Sequence, residues 1–148
     1  MVAKRYYLDT SALVKRYVLE RGSDVVDRVF AEAHAKKSSI ALSLWNVGEA
    51  AVVFDKYGRR IGLDPKKTMR LMLSELRTLS LIHSLVVVRV SHRAVLRSAK
   101  VALRHGIYVA DALQIVSCEI SKSTELLTAD RELYEVAVSE GVSAKLLG

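Results

Sequence analysis

Five short apolar runs rich in β-branched and aromatic residues, Arg5–Leu8, Ser39–Leu42, Leu85–Val90, Glu125–Thr128 and Ser143–Leu147, have the length and make-up of strands. Between them apolar residues recur at helical spacing. Ser11–Leu19 is the first such segment. In Ser23–Ala35, Ser23 is placed to cap the helix, and Val25, Val26, Val29, Phe30 and Ala33 share one face. Ser43–Tyr57 follows, then Pro65–Ile82, which opens with proline in its first turn and carries Met69, Met72, Leu73, Leu76 and Leu79 at helical spacing. Ser91–Arg104, Val109–Ser121 and Arg131–Glu140 complete the set. Strands separated by helices imply a parallel sheet, because parallel neighbours need crossover connections that helices supply. The predicted fold is a three-layer α/β/α sandwich around a parallel sheet of four to five strands. Ligand sites in such sheets form beyond the carboxyl ends of the strands, where the strand order reverses.

The chain has 148 residues, 51% of them hydrophobic, with a single proline and seven glycines, so one domain over residues 1–148 with no linker or repeat is expected. Lys4 and Arg5 precede the first apolar run, but Asp9 interrupts it at once, so neither a signal peptide nor a membrane span is expected. A lone cysteine, Cys118, rules out an internal disulfide; in an apolar helical stretch it reads as a small buried hydrophobe in a reducing cytoplasm. Asn46 and Gln114 are the only side-chain amides, a scarcity seen in heat-adapted proteins. Twenty-three lysines and arginines against sixteen acids give a net charge of +7, which suits a polyanionic partner and equally suits a well-solvated surface.

Four acids are embedded in apolar or small residues: Asp9 in YYLDTSALV, Glu49 in LWNVGEAAVVF, Asp111 in IYVADALQIV and Asp130 in ELLTADREL. A buried ionised carboxylate without a partner is costly, so such groups pair, shift their pKa or hold a metal. Asp9 and Asp130 each stand at the end of a predicted strand just before a helix, where capping is an equally good explanation. Glu49 and Asp111 are expected within helices, and no basic residue lies three or four positions from either, which excludes a local helix salt bridge. A cluster of carboxylates repels itself unless cations or protons neutralise it. Oxygen-only ligands suit Mg²⁺ or Mn²⁺ rather than zinc. The four histidines lack metal spacing, and no GxxxxGK or GxGxxG phosphate loop is present.

These segments resemble the PIN domain family, and within it the VapC-type toxin ribonucleases of toxin–antitoxin pairs. LDTSALV is similar to the family's opening strand and acid, SIALSLWNVGEAAVV to the segment bearing its second acid, VADALQIVSC to the third and LLTADREL to the fourth. The resemblance implies that Asp9, Glu49, Asp111 and Asp130 are the site acids, with Ser11 and Thr128 as polar support. It also implies an antitoxin that occludes or disorganises the acidic site and a homodimer formed through helical surfaces. The segment Tyr57–Val90 carries no diagnostic motif.

The expected reaction is metal-dependent hydrolysis of RNA phosphodiester bonds. Asp9 would bind the principal ion, Asp111 and Asp130 would complete the pocket, and Glu49 would be either a ligand or the group that orients water. Lys15, Arg16, Arg59, Arg60, Arg104 and Arg131 are candidates to hold backbone phosphates. A catalytically silent PIN scaffold that binds RNA or a protein is the alternative. Aspartyl phosphoryl transfer is less favoured, since the second aspartate it wants two residues after Asp9 is Ser11.

Overall fold

The structure, a computed structural model, describes residues 3–148. Among these residues the elements run β1 (Arg5–Leu8), α1 (Thr10–Leu13), α2 (Ser23–His34), β2 (Ser39–Ser43), α3 (Leu44–Ile61), α4 (Pro65–Leu81), β3 (Leu85–Val88), α5 (His92–His105), α6 (Val109–Ile120), β4 (Glu125–Thr128), α7 (Arg131–Ser139) and β5 (Ala144–Leu146). The strands form one parallel sheet in the order β3-β2-β1-β4-β5. Tyr6 stands opposite Ile40 on one side and Glu125 on the other.

Alternation along the strands divides the core between the two faces of the sheet. Leu8, Ile40, Leu42 and Leu127 pack with α1 to α4, against Phe30, Phe54, Met72 and Leu79. Tyr7, Ala41 and Leu126 point the other way and meet Cys118 of α6, while Ala94, Ile115, Leu133 and Ala137 join α5, α6 and α7. This is the expected α/β/α sandwich with five strands. Cys118 is buried and free, and burial pushes its thiol up to about 12, so it is inert at neutral pH. No described helix is long and apolar enough to cross a membrane.

The first helix is shorter than the Ser11–Leu19 expected from periodicity. α1 ends at Leu13 and passes into a 3-10 turn over Val14–Arg16. The chain then bends so that Tyr17 sits edge-on to both Phe30 and Phe54, with ring centroids 6.3 Å apart in each case. Tertiary packing here overrides a local helical preference. β3 also stops at Val88, two residues early, as fits an edge strand.

Arg16 and Glu75 lock this corner. Arg16 donates to both Glu75 oxygens at 3.0 and 2.8 Å, and His34 and Tyr17 add bonds to the same carboxylate. Burial would raise the Glu75 pKa, but these bonds hold it down to about 2. The carboxylate therefore stabilises the fold above its ordinary pKa of 4.5, and that contribution is lost as pH falls toward 2. Glu75→Gln should cost about 1–3 kcal/mol in urea unfolding at pH 7, with a much smaller difference at pH 2.5.

Candidate active site

Reversal of strand order puts the ends of β1 and β4 side by side at the switch point, since the chain goes from β1 to β2 and β3 and then returns across β1 to β4. Asp9 follows β1 and Asp130 follows β4. Asp9 is 4% exposed. It caps α1 by accepting from the Ala12 amide at 2.9 Å, and it accepts from the Ser11 hydroxyl at 2.7 Å and the Thr128 hydroxyl at 2.5 Å. Thr128 Oγ1 in turn accepts from the Asp130 amide at 3.0 Å, and Ser11 Oγ accepts from the Ala129 amide at 2.8 Å. Two hydroxyls thus tie β1 to β4 and fix both oxygens of Asp9.

Asp130 caps α7, accepting from the amides of Glu132 at 2.9 Å and Leu133 at 3.3 Å, but remains exposed. Capping is therefore a real role for both aspartates. Glu49, half-buried in α3, accepts from the Thr10 hydroxyl at 2.6 Å. Asp111 differs from expectation: Tyr108 stands at the N-cap, so Asp111 falls in the first turn of α6 rather than in its interior. The helix dipole there favours a negative charge.

Electrostatics gathers the four acids into one region. Burial raises the Asp9 pKa to about 6; its hydrogen bonds to Thr128, Ser11 and Ala12 oppose this, and the charge of Asp130 adds to it. Asp111 is raised by burial first, then by Asp130, Glu49 and Glu132. None of the four is in an ion pair among the described residues. Also among these residues, no three His, Cys, Asp or Glu side chains form a ready-made metal cage. The donor chemistry nevertheless fits a hard divalent cation: every available donor is an oxygen, burial first and neighbouring acids next raise the Asp9 and Asp111 carboxyls, and no basic side chain among the described residues pairs with either.

Of the basic candidates, Lys15 and Arg16 need correction. Lys15 is buried, its ammonium 2.6 Å from the Arg21 carbonyl and 3.2 Å from Glu20. Arg16 is held by Asp27 and Glu75 and lies over the Phe30 ring. Both charges brace the fold. Arg59 pairs with Asp55, and Arg104 pairs with Glu140 beside His105. Arg60 and Arg131 are exposed and in no ion pair among the described residues.

Some site residues escaped the sequence reading. Thr10 orients Glu49, and Glu132 adds its charge to the field at Asp111. The chain's two amides support the floor: buried Asn46 donates to the Leu8 carbonyl at 3.0 Å, and Gln114 accepts from the Tyr7 hydroxyl at 2.7 Å.

Comparison with known proteins identifies the family. The PIN domain pattern matches residues 6–139. The chain belongs to the PIN domain family. No curated protein matches this PIN domain at a significant level, but solved structures share its fold. PAE2754 from Pyrobaculum aerophilum superposes with TM-score 0.67 at 20% identity, over 95% of this chain and 83% of that one. Mycobacterium tuberculosis VapC20, a sarcin–ricin loop cleaving toxin, gives 0.65 at 15% identity, over 93% and 95%. VapBC2 from Rickettsia felis, solved with a DNA fragment from its promoter, gives 0.61 at 14%, over 97% and 99%.

Proposed function

We propose that this PIN domain is a metal-dependent endoribonuclease, the toxin of a VapBC-type pair, acting as a single domain in the cytoplasm. The observation that carries this reading is the convergence of four acids from four segments on one end of the sheet, with no basic side chain among the described residues paired to any of them. Asp9, Asp111 and Asp130 would hold Mg²⁺ or Mn²⁺. When bound, such an ion polarises the scissile phosphate and lowers the pKa of water. Ser11, Thr128 and the Ala12 amide keep Asp9 in one orientation, so little reorganisation accompanies loading. Thr10 occupies Oε1 of Glu49, which leaves Oε2 to accept a proton from the attacking water. Exposed Arg60 and Arg131, in no ion pair among the described residues, are free to attract the backbone, with Arg59 and Arg104 available where RNA displaces their surface ion pairs.

VapC-like toxins and toxin–antitoxin complexes among the structural neighbours support an antitoxin partner, and a homodimer is expected from the resemblance of the sequence to VapC-type toxins. The test is cleavage of structured and unstructured RNAs with Mg²⁺, with Mn²⁺ and with chelator. Cutting should require the ion and vanish in Asp111→Asn. RNA bound but never cut under any of these conditions would favour the silent scaffold, whereas cutting indifferent to chelator and to the substitution would exclude these acids.

A further inference from the structure

Both side-chain amides of the chain are buried, and each lies one turn from an acid on its own helix. Asn46 precedes Glu49 by three residues on α3, and Gln114 follows Asp111 by three on α6. Each also reaches β1 just ahead of Asp9. Asn46 Nδ2 donates to the Leu8 carbonyl at 3.0 Å, and the Tyr7 hydroxyl donates to Gln114 Oε1 at 2.7 Å. Tyr7 is wholly buried, and burial raises its phenol above the usual range, with Asn46 and Ser117 beside the hydroxyl opposing the shift. The hydroxyl therefore keeps its proton and remains a donor. The segments that carry Asp9, Glu49 and Asp111 are thus joined, away from water, by one small polar cluster.

Stability alone does not call for this cluster. A buried hydrogen bond adds little over an apolar pair of the same shape, because both groups must first give up water. The neighbours of Gln114 on α6 show the alternative, for Ala112, Leu113, Ile115 and Val116 are buried and apolar. A directional bond supplies what apolar contact does not, a fixed register between elements. That register matters where charges repel. Burial raises the Asp111 pKa first, and the charges of Asp130 and Glu49 add to it, so in the metal-free protein these acids push one another apart. Asp9, Glu49 and Asp130 are each held by hydrogen bonds of their own, whereas nothing donates to the Asp111 carboxylate among the described residues. The place of Asp111 depends on how α6 sits, and the Tyr7–Gln114 bond, one turn on, ties that helix to β1.

We infer that Tyr7 and Gln114 are positioning residues: their buried bond sets the distance of Asp111 from Asp9, and with it the affinity of the acidic site for a divalent cation. Asn46 does the equivalent for α3. The inference rests on the metal site of the endoribonuclease reading and adds to it residues that touch neither ion nor RNA.

The test separates position from stability. Tyr7→Phe and Gln114→Met each leave a buried polar partner unpaired, so each should lower the urea midpoint of unfolding. The double variant leaves neither partner behind and should regain most of that loss. Mn²⁺ binding to the three variants and the wild type is followed by electron paramagnetic resonance of the free ion, alongside kcat and KM for RNA cleavage. Affinity for Mn²⁺ should fall about 10-fold in all three, as when a group that orients metal ligands is lost, and it should not recover in the double variant. The kcat should fall with it at fixed Mn²⁺, with KM for RNA unchanged. Wild-type Mn²⁺ affinity in the double variant overturns the inference and leaves the ribonuclease reading standing. Should the double variant not fold, wild-type affinity in folded Tyr7→Phe, which lacks a single oxygen, overturns it equally. Weakened Mn²⁺ binding in a protein whose wild type cuts no RNA supports the positioning role and overturns the ribonuclease reading. A wild type that binds no Mn²⁺ overturns both.

Discussion

Asp9→Asn is expected to abolish RNA cleavage, by about 1,000-fold or more, and at the same time to make the metal-free protein more stable. The two effects have one cause. Asp9 sits in a nearly water-free site with its pKa raised from 3.8 to about 6. A raised acid binds its proton more tightly folded than unfolded, so folding stability falls as pH climbs from about 4 to about 6 and stays lower above. The shift corresponds to as much as about 3 kcal/mol at neutral pH. Asparagine is neutral and still caps α1. Its Oδ1 can keep the bonds from Ala12 and Ser11, and its amide can donate to Thr128 Oγ1 in place of the bond that oxygen now donates. Melting at pH 7.5 should rise by roughly 5 °C, and most of that gain should vanish at pH 4.5, where the wild-type carboxyl is itself protonated. Mg²⁺ should then raise the melting temperature of the wild type but not of the variant. A variant no more stable than the wild type at pH 7.5 would mean that Asp9 is a well-satisfied cap and not a charge awaiting a cation.

Much of this arrangement could be read from the chain, and what could not has physical reasons. Short apolar runs and period-3.6 patterns located the strands and helices because both faces of the sheet are covered, so the strands read as near-continuous apolar runs and the helices carry an apolar face. Periodicity failed where long-range packing decided the outcome, at Tyr17, whose fit between Phe30 and Phe54 ends the first helix early. The acids could be singled out one at a time from their apolar surroundings, but not placed relative to one another. Their convergence depends on the return from β3 across β1 to β4, which no local pattern encodes. Lys15 and Arg16 look like free cations in the sequence because their partners, Glu20, Asp27 and Glu75, are chosen by the fold. Thr10 escaped notice for a related reason: its hydroxyl reaches across 39 positions to Glu49.

The two roles of Asp130 can be separated by substitution, with a large expected difference between them. As a cap it accepts from two amides of α7, and Asp130→Ala should cost about 0.5–2 kcal/mol. Asp130→Ser and Asp130→Asn supply a capping oxygen without the charge, so both should fold as stably as the wild type. If the carboxylate also belongs to the acidic pocket, all three variants should lose cleavage by about 100-fold or more at saturating RNA. Loss of the charge should also be felt at Asp111, whose pKa is raised by burial and next by Asp130. In Asp130→Ser the Asp111 carboxyl should titrate at lower pH than in the wild type, a shift that carboxyl NMR can follow without any metal present. Cleavage that recovers with the cap in Asp130→Ser would leave Asp130 a structural residue alone. Cleavage that stays lost in a stable protein, together with a displaced Asp111 titration, requires the two carboxylates to act on one shared field.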